Sequence, residues 1–278
     1  MGLTIEPLNA VMGAAATGVD LSQPIAPGDA AALTQALTDR LVLCIRDQDL
    51  TPPAFSIAAR VFGEPKPFLL RQDRIEGAPA VSIVSNRPPG LGGKPLVQAK
   101  HWHTDDSYFA APATLTLLHA KTLPAEGGDT EFIDCYAVLA ALPAALRRRI
   151  EGLHAVHKYL SRRNMSWVAG RSAEEEAETP EVDHPLVRTH PVSRRQSLYI
   201  NPNRIDRILG WDEATSDALL DELYAFAFRP EFQYRHRWRA GDLVVWDNRC
   251  TLHRANADYD LSQIRVMHRV MLQGEVPV

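Results

Sequence analysis

Two histidines, one aspartate and two arginines carry the clearest chemical signal in this chain. His103 and Asp105 lie in His101-Trp102-His103-Thr104-Asp105-Asp106-Ser107-Tyr108, and His253 closes Trp246-Asp247-Asn248-Arg249-Cys250-Thr251-Leu252-His253. Two imidazoles and one carboxylate can hold one face of a metal ion and leave the opposite face open. That pattern suits non-haem iron(II) oxygen chemistry, in which oxygen and a second ligand must reach the metal together. Arg265 follows His253 by twelve residues, and Arg269 comes four later. A guanidinium binds carboxylate through paired, charge-assisted hydrogen bonds, so the expected second ligand is a small molecule carrying carboxylates. In a strand the two arginines share a face, because side chains repeat every two residues.

The chain that must position these groups has 278 residues, enough for one large domain or two small ones and for a substantial core. Its composition, 45% hydrophobic and 23% charged, is that of a soluble globular protein. A net charge of −4 gives no global pull toward nucleic acid or anionic membrane, so any anion site must be local. The longest nearly apolar run, 135–146, is interrupted by Pro143 and is too short to span a bilayer. The first residues lack the basic flank and long apolar stretch of a signal peptide. Cys44, Cys135 and Cys250 are odd in number and widely spaced, which argues against a disulfide framework. A cytoplasmic location is expected, where a ferrous ion would stay reduced.

The first sixty residues read as a short strand, a helix, a strand and another helix. Helical spacing covers 27–40, and 41–45 suits a buried strand. Thr51 and Pro52 open the second helix as cap and first turn, and Gly63 closes it. Residues 86–100, rich in glycine and proline, form a loop entering the His103 motif. Beyond it, β-type runs cover 114–120, 130–133, 153–159, 186–190, 197–200, 232–237, 243–246 and 265–272, interrupted by helices near 138–152 and 213–228. Many short strands point to a mainly β (α+β) sandwich or barrel, and a jelly roll would bring residues near 103 and 253 to one mouth. The polar stretch 161–184 reads equally as a mobile lid or a solvated surface loop.

Taken together the motifs resemble the TauD/TfdA family (taurine dioxygenase and phenoxyacetate dioxygenase) of iron(II), 2-oxoglutarate-dependent oxygenases. The matching text is Trp102-His103-Thr104-Asp105, Gly127-Gly128-Asp129-Thr130, 184–191, Gly241-Asp242 with Trp246-Asp247-Asn248-Arg249, His253-Arg254-Ala255, and Arg265 through Arg269. These blocks stand in family order over nearly the whole chain. The resemblance implies a double-stranded β-helix with flanking helices in a single domain over 1–278. It implies His103, Asp105 and His253 as iron ligands, Thr130 and Arg265 on the distal carboxylate of 2-oxoglutarate, and Arg269 near the cosubstrate and the acidic group of the prime substrate. Oxygen is then the second cosubstrate, and a homo-oligomer is expected.

Taurine-acting members carry a histidine and a tyrosine shortly after Phe-Gly-Glu; here 62–71 reads Phe-Gly-Glu-Pro-Lys-Pro-Phe-Leu-Leu-Arg, with neither. Phe68, Leu69 and Leu70 suit an aryl or alkyl body, with Lys66 or Arg71 supplying charge. Thr130-Glu131-Phe132 and Tyr234-Arg235-His236-Arg237-Trp238 look closest to the phenoxyacetate-cleaving branch. The expected substrate is therefore a small anionic molecule, an aryloxyalkanoate-like carboxylate ahead of a taurine-like sulfonate. Two readings of other classes remain: a zinc-dependent hydrolase, which leaves Arg265 unexplained, and a noncatalytic jelly-roll binding protein. His101 and Asp106 are expected on the opposite side of the motif, Trp102 and Tyr108 in core packing, and Asp247-Asn248 in a turn that places His253. His119, His154, His157, His190 and His268 are expected to be structural or surface groups.

Overall fold

Alternation of side chains along the strands builds three apolar layers in the computed structural model, which describes residues 2–88 and 91–278. The larger sheet has nine strands. Its main path runs Thr4–Pro7, Ala14–Thr17, Val42–Ile45, Leu243–Asp247, Leu115–Thr122, Val266–Leu272, Ala78–Ser85 and Arg74–Ile75, with Pro65–Lys66 paired to Val266–Leu272. Every pairing is antiparallel except that of Ala14–Thr17 with Val42–Ile45. A second sheet sets Thr130–Asp134 between Gln233–His236 and Thr251–Ala255.

Each strand divides its residues between layers, as a period of two requires. On Leu243–Asp247, Val244 and Trp246 join Leu118, Phe132 and Met267 in the cluster between the sheets. Leu243 and Val245 turn the other way, onto Leu33, Leu37 and Phe55 of helices Pro27–Arg40 and Pro52–Ala58. On the smaller sheet Phe132 points between the sheets, while Ile133 and Leu252 pack under Val138, Leu146 and Leu219 of the helices behind it. This is the jelly roll with flanking helices that the strand-rich sequence predicts. Parity also selects the site: Thr130 shares a face with Phe132, and Arg269 with Met267, so both project between the sheets.

The structure corrects several element expectations. Residues 138–152 are two helices, Cys135–Ala141 and Ala144–Ile150, because Pro143 cannot continue the first. The 186–190 run shortens to Val187–Thr189, and a separate strand, Val182–Pro185, precedes it and pairs elsewhere. Two strands, not one, precede the first helix. The 161–184 stretch holds a helix, Ala173–Ala177, closed by a reciprocal cap between Ser172 and Glu175. Among the described residues no helix is long and apolar enough to cross a membrane.

Candidate functional site

His253 reaches the inner face because it stands opposite Phe132 in the register of the smaller sheet. The His103 motif docks beside it as a one-residue strand: the His103 amide donates to the His253 carbonyl at 3.0 Å, and the His253 amide to the His103 carbonyl at 2.8 Å. The rings then lie with centroids 4.1 Å apart. Asp105 Oδ1 is 3.7 Å from His103 Nε2, and Asp105 Oδ2 is 3.7 Å from His253 Nε2. Ligand atoms of all three residues lie within 4.8 Å of one another.

The protonation states suit a cation. Burial pushes the Asp105 carboxyl up, but His253, Arg269, His103 and the Thr116 hydroxyl outweigh it and hold it down to about 2. Burial, with His103 adding to it, lowers the His253 imidazole to about 3, and burial lowers His103 as well. At neutral pH the trio presents one carboxylate and two uncharged imidazoles. His103 Nδ1 donates to the His101 carbonyl at 2.9 Å, which leaves the Nε2 lone pair facing the centre.

Thr130 and Arg265 line the same cavity as these three groups. Arg265 is 6% exposed and, among the described residues, has no carboxylate within ion-pair distance. Its Nε donates to the Gly128 carbonyl at 3.1 Å, while Nη2 is buried without a partner. A buried guanidinium with donors to spare asks for an anion. Thr130 Oγ1 accepts from the Trp238 indole at 3.0 Å, so its own proton is free to point elsewhere.

A larger adjoining cavity of about 410 Å³ also opens on His103 and Asp105. Phe68, Leu70, Tyr108 and Arg269 are on its wall, and the Arg269 guanidinium lies 4.5 Å from the Phe68 ring centroid. Trp167 to Ala169, within the 161–184 stretch, close part of the same wall.

Three expectations need correction here. Arg71 does not line either cavity: the acids of Ala173–Ala177 and its flank draw it away, with the guanidinium 2.5 Å from Glu178 and the amide 2.8 Å from Glu175. Lys66 is likewise engaged, as the ion-pair partner of Asp106. Asp106 itself lines the larger cavity, because its φ of +57° turns the chain and ends the alternation after Asp105. His101 stays outside, and Trp102 packs in the core as expected.

The sequence reading passed over Thr116, Trp238 and the Asn248 amide. A threonine inside Leu115-Thr116-Leu117-Leu118, on the parity of inward-facing Leu118, was the available signal for the first. Asp247 does organise the turn, accepting from Arg249 and His190. Asn248 instead donates from its side-chain amide to the Thr116 hydroxyl, which in turn donates to Asp105.

The fold and this one-sided group of donors define a jelly-roll protein whose site could hold a metal beside an anion. The family of the taurine catabolism dioxygenase TauD and of TfdA matches residues 4–271. The alpha-ketoglutarate-dependent 2,4-dichlorophenoxyacetate dioxygenase of Cupriavidus pinatubonensis is 34% identical, over 97% of this chain and 97% of its own. The alpha-ketoglutarate-dependent sulfate ester dioxygenase of Pseudomonas putida is 32% identical, over 99% and 91%. The crystal structure of AAD-2 in complex with Mn(II) and N-oxalylglycine superposes with a TM-score of 0.83 at 33% identity, covering 100% of this chain and 99% of that one. The chain belongs to the TauD/TfdA family of dioxygenases.

Proposed function

We propose that this chain is an iron(II)- and 2-oxoglutarate-dependent dioxygenase that hydroxylates a small organic acid, with His103, Asp105 and His253 as the metal ligands. The convergence of these three donors beside the unpaired Arg265 guanidinium carries the reading. The donor set fits a divalent cation, being deprotonated at neutral pH and confined to one side. Arg265 and the Thr130 hydroxyl bind the distal carboxylate of 2-oxoglutarate, each charged hydrogen bond contributing about 1.5–3 kcal/mol. Iron and 2-oxoglutarate held by these residues would supply the oxidative chemistry with dioxygen as oxidant, one oxygen atom going into succinate, formed with carbon dioxide, and the other into a substrate C–H bond.

The larger cavity takes the prime substrate. Phe68, Leu70 and Tyr108 provide apolar and aromatic surface for its body, and Arg269 provides positive charge for its acid group. An aryloxyalkanoate combines the two, and hydroxylation of the carbon bearing the ether oxygen gives a hemiacetal that collapses with cleavage of the ether. The relatives named for 2,4-dichlorophenoxyacetate and for sulfate esters support a substrate with an oxygen-linked body and an anionic group.

The test is succinate release in air with ferrous iron, screened across aryloxyalkanoates, alkyl sulfates and sulfonates. Turnover should be highest with an aryloxyalkanoate and accompanied by phenol release; turnover confined to sulfonates would overturn the substrate assignment. Asp105→Ala should abolish hydroxylation and weaken metal binding, whereas unchanged turnover in the purified variant would refute the ligand role.

A further inference from the structure

Asp105 is held by a directed chain of buried hydrogen bonds that begins at Trp246. The Trp246 indole can only donate, so the atom of Asn248 that faces it at 2.9 Å is the oxygen Oδ1. The Asn248 nitrogen Nδ2 must then face Thr116, and it donates to Thr116 Oγ1 at 2.8 Å. With that lone pair occupied, the Thr116 hydroxyl proton is turned onto Asp105 Oδ2, at 2.7 Å. Every member is buried: Trp246, Asn248 and Thr116 are at most 2% exposed and Asp105, at the cavity wall, is 7% exposed. Asn248 is fixed further, because its carbonyl accepts from the Thr104 hydroxyl at 2.8 Å. At the head of the chain the Trp246 ring packs on His253, with centroids 4.6 Å apart. One end of the chain therefore touches one donor of the trio, and the other end fixes a second.

We propose that Thr116, directed by Asn248 and Trp246, is the positioning residue of the metal-binding carboxylate: it occupies Oδ2 and presents Oδ1 as the ligand oxygen. The proposal rests on the reading of His103, Asp105 and His253 as metal ligands. Serial donation between buried groups also polarises each bond toward the carboxylate and strengthens its hold. Thr116 and Asn248 line neither cavity and Trp246 only borders the smaller one, so the role of the chain is to set the orientation of Asp105.

The test uses Mn(II) as a redox-silent probe, with the dissociation constant read from the free-ion signal in electron paramagnetic resonance. Thr116→Val keeps the shape of the side chain and removes the hydroxyl. It should weaken Mn(II) binding roughly 10- to 100-fold, the usual effect of removing a group that orients a ligand. Thr116→Ser keeps the hydroxyl and should bind within about twofold of the parent protein if the effect of Thr116→Val reflects the lost orienting bond. Trp246→Phe keeps the ring on His253 and should weaken binding alone, yet add nothing on the Thr116→Val background. Asp105→Ala separates the two readings. If it leaves Mn(II) affinity unchanged, the metal site itself is wrong. If it weakens binding while Thr116→Val does not, the ligand stands and the positioning role is overturned. Equal losses in Thr116→Val and Thr116→Ser, or additive losses with Trp246→Phe, would also overturn it.

Discussion

Arg265 shows at a single residue how a binding site is written as an unmet need. Its guanidinium is removed from water, its charge has no counter-ion among the described residues, and burial lowers its pKa. Leaving such a group unpaired costs stability, and a bound carboxylate recovers that cost. A lysine cannot substitute for it, because the ammonium is a point donor without the planar fork that matches two carboxylate oxygens. Arg265→Lys should therefore weaken N-oxalylglycine binding to the Mn(II)-loaded protein by roughly 10- to 100-fold, the equivalent of one charged hydrogen bond. Calorimetric titration measures this directly, and an unchanged affinity would remove Arg265 from the site. Thr130 complements it: with the Trp238 indole donating to Oγ1, the threonine proton is free for another acceptor in the cavity.

At the scale of elements, the turn before Thr130–Asp134 decides whether Arg265 can reach its place. Gly128 has a φ of +71°, and a Cβ there would meet Pro124 Cγ at 3.2 Å and Arg265 Cδ and Nε at 3.3 Å. Gly77 has a similar φ of +74° but open space around it. Both Gly128→Ala and Gly77→Ala should lose about 1–2 kcal/mol of stability from the left-handed backbone. Only Gly128→Ala should also weaken N-oxalylglycine binding, and equal binding in the two variants would show that the close approach does not matter.

The same scale explains what could be read in advance. His103, Asp105, His253 and Arg265 were legible because their chemistry demands those residue types, and strand alternation then puts Arg265 and Arg269 on one face. The direction of Asp106 was not legible, since alternation fails at its positive φ. Arg71 was misread for a related reason. Its partners Glu175 and Glu178 lie about a hundred residues later, on an element whose position depends on the whole fold. The Ser172-x-x-Glu175 cap, by contrast, is a local signature, and it marks a helix where the polar stretch reads as loop.

Across the molecule, several histidines other than His103 and His253 lie in the interior. His119, His157, His184 and His236 are all buried. Burial lowers the pKa of each, to about 4 for His184 and well below the ordinary value for His157. Their ordinary value in an unfolded chain is about 6.5. Above that pH both folded and unfolded states hold them neutral, and their contribution to stability is fully present. As pH falls below about 6.5 the unfolded chain takes up protons that the folded interior refuses, so the unfolded state binds more protons and stability declines. The loss continues until the folded values are reached, near 4 for His184. Each histidine can contribute up to about 1.4 kcal/mol per pH unit in that window. The metal-free protein, prepared with a chelator, should therefore show a urea midpoint that drops steeply between about pH 7 and pH 5. Replacing His157 by glutamine, which cannot titrate, should make that slope shallower. A midpoint that stayed level or rose on acidification would mean these imidazoles are accommodated as cations, and the buried interior would have to be more polar than its packing indicates.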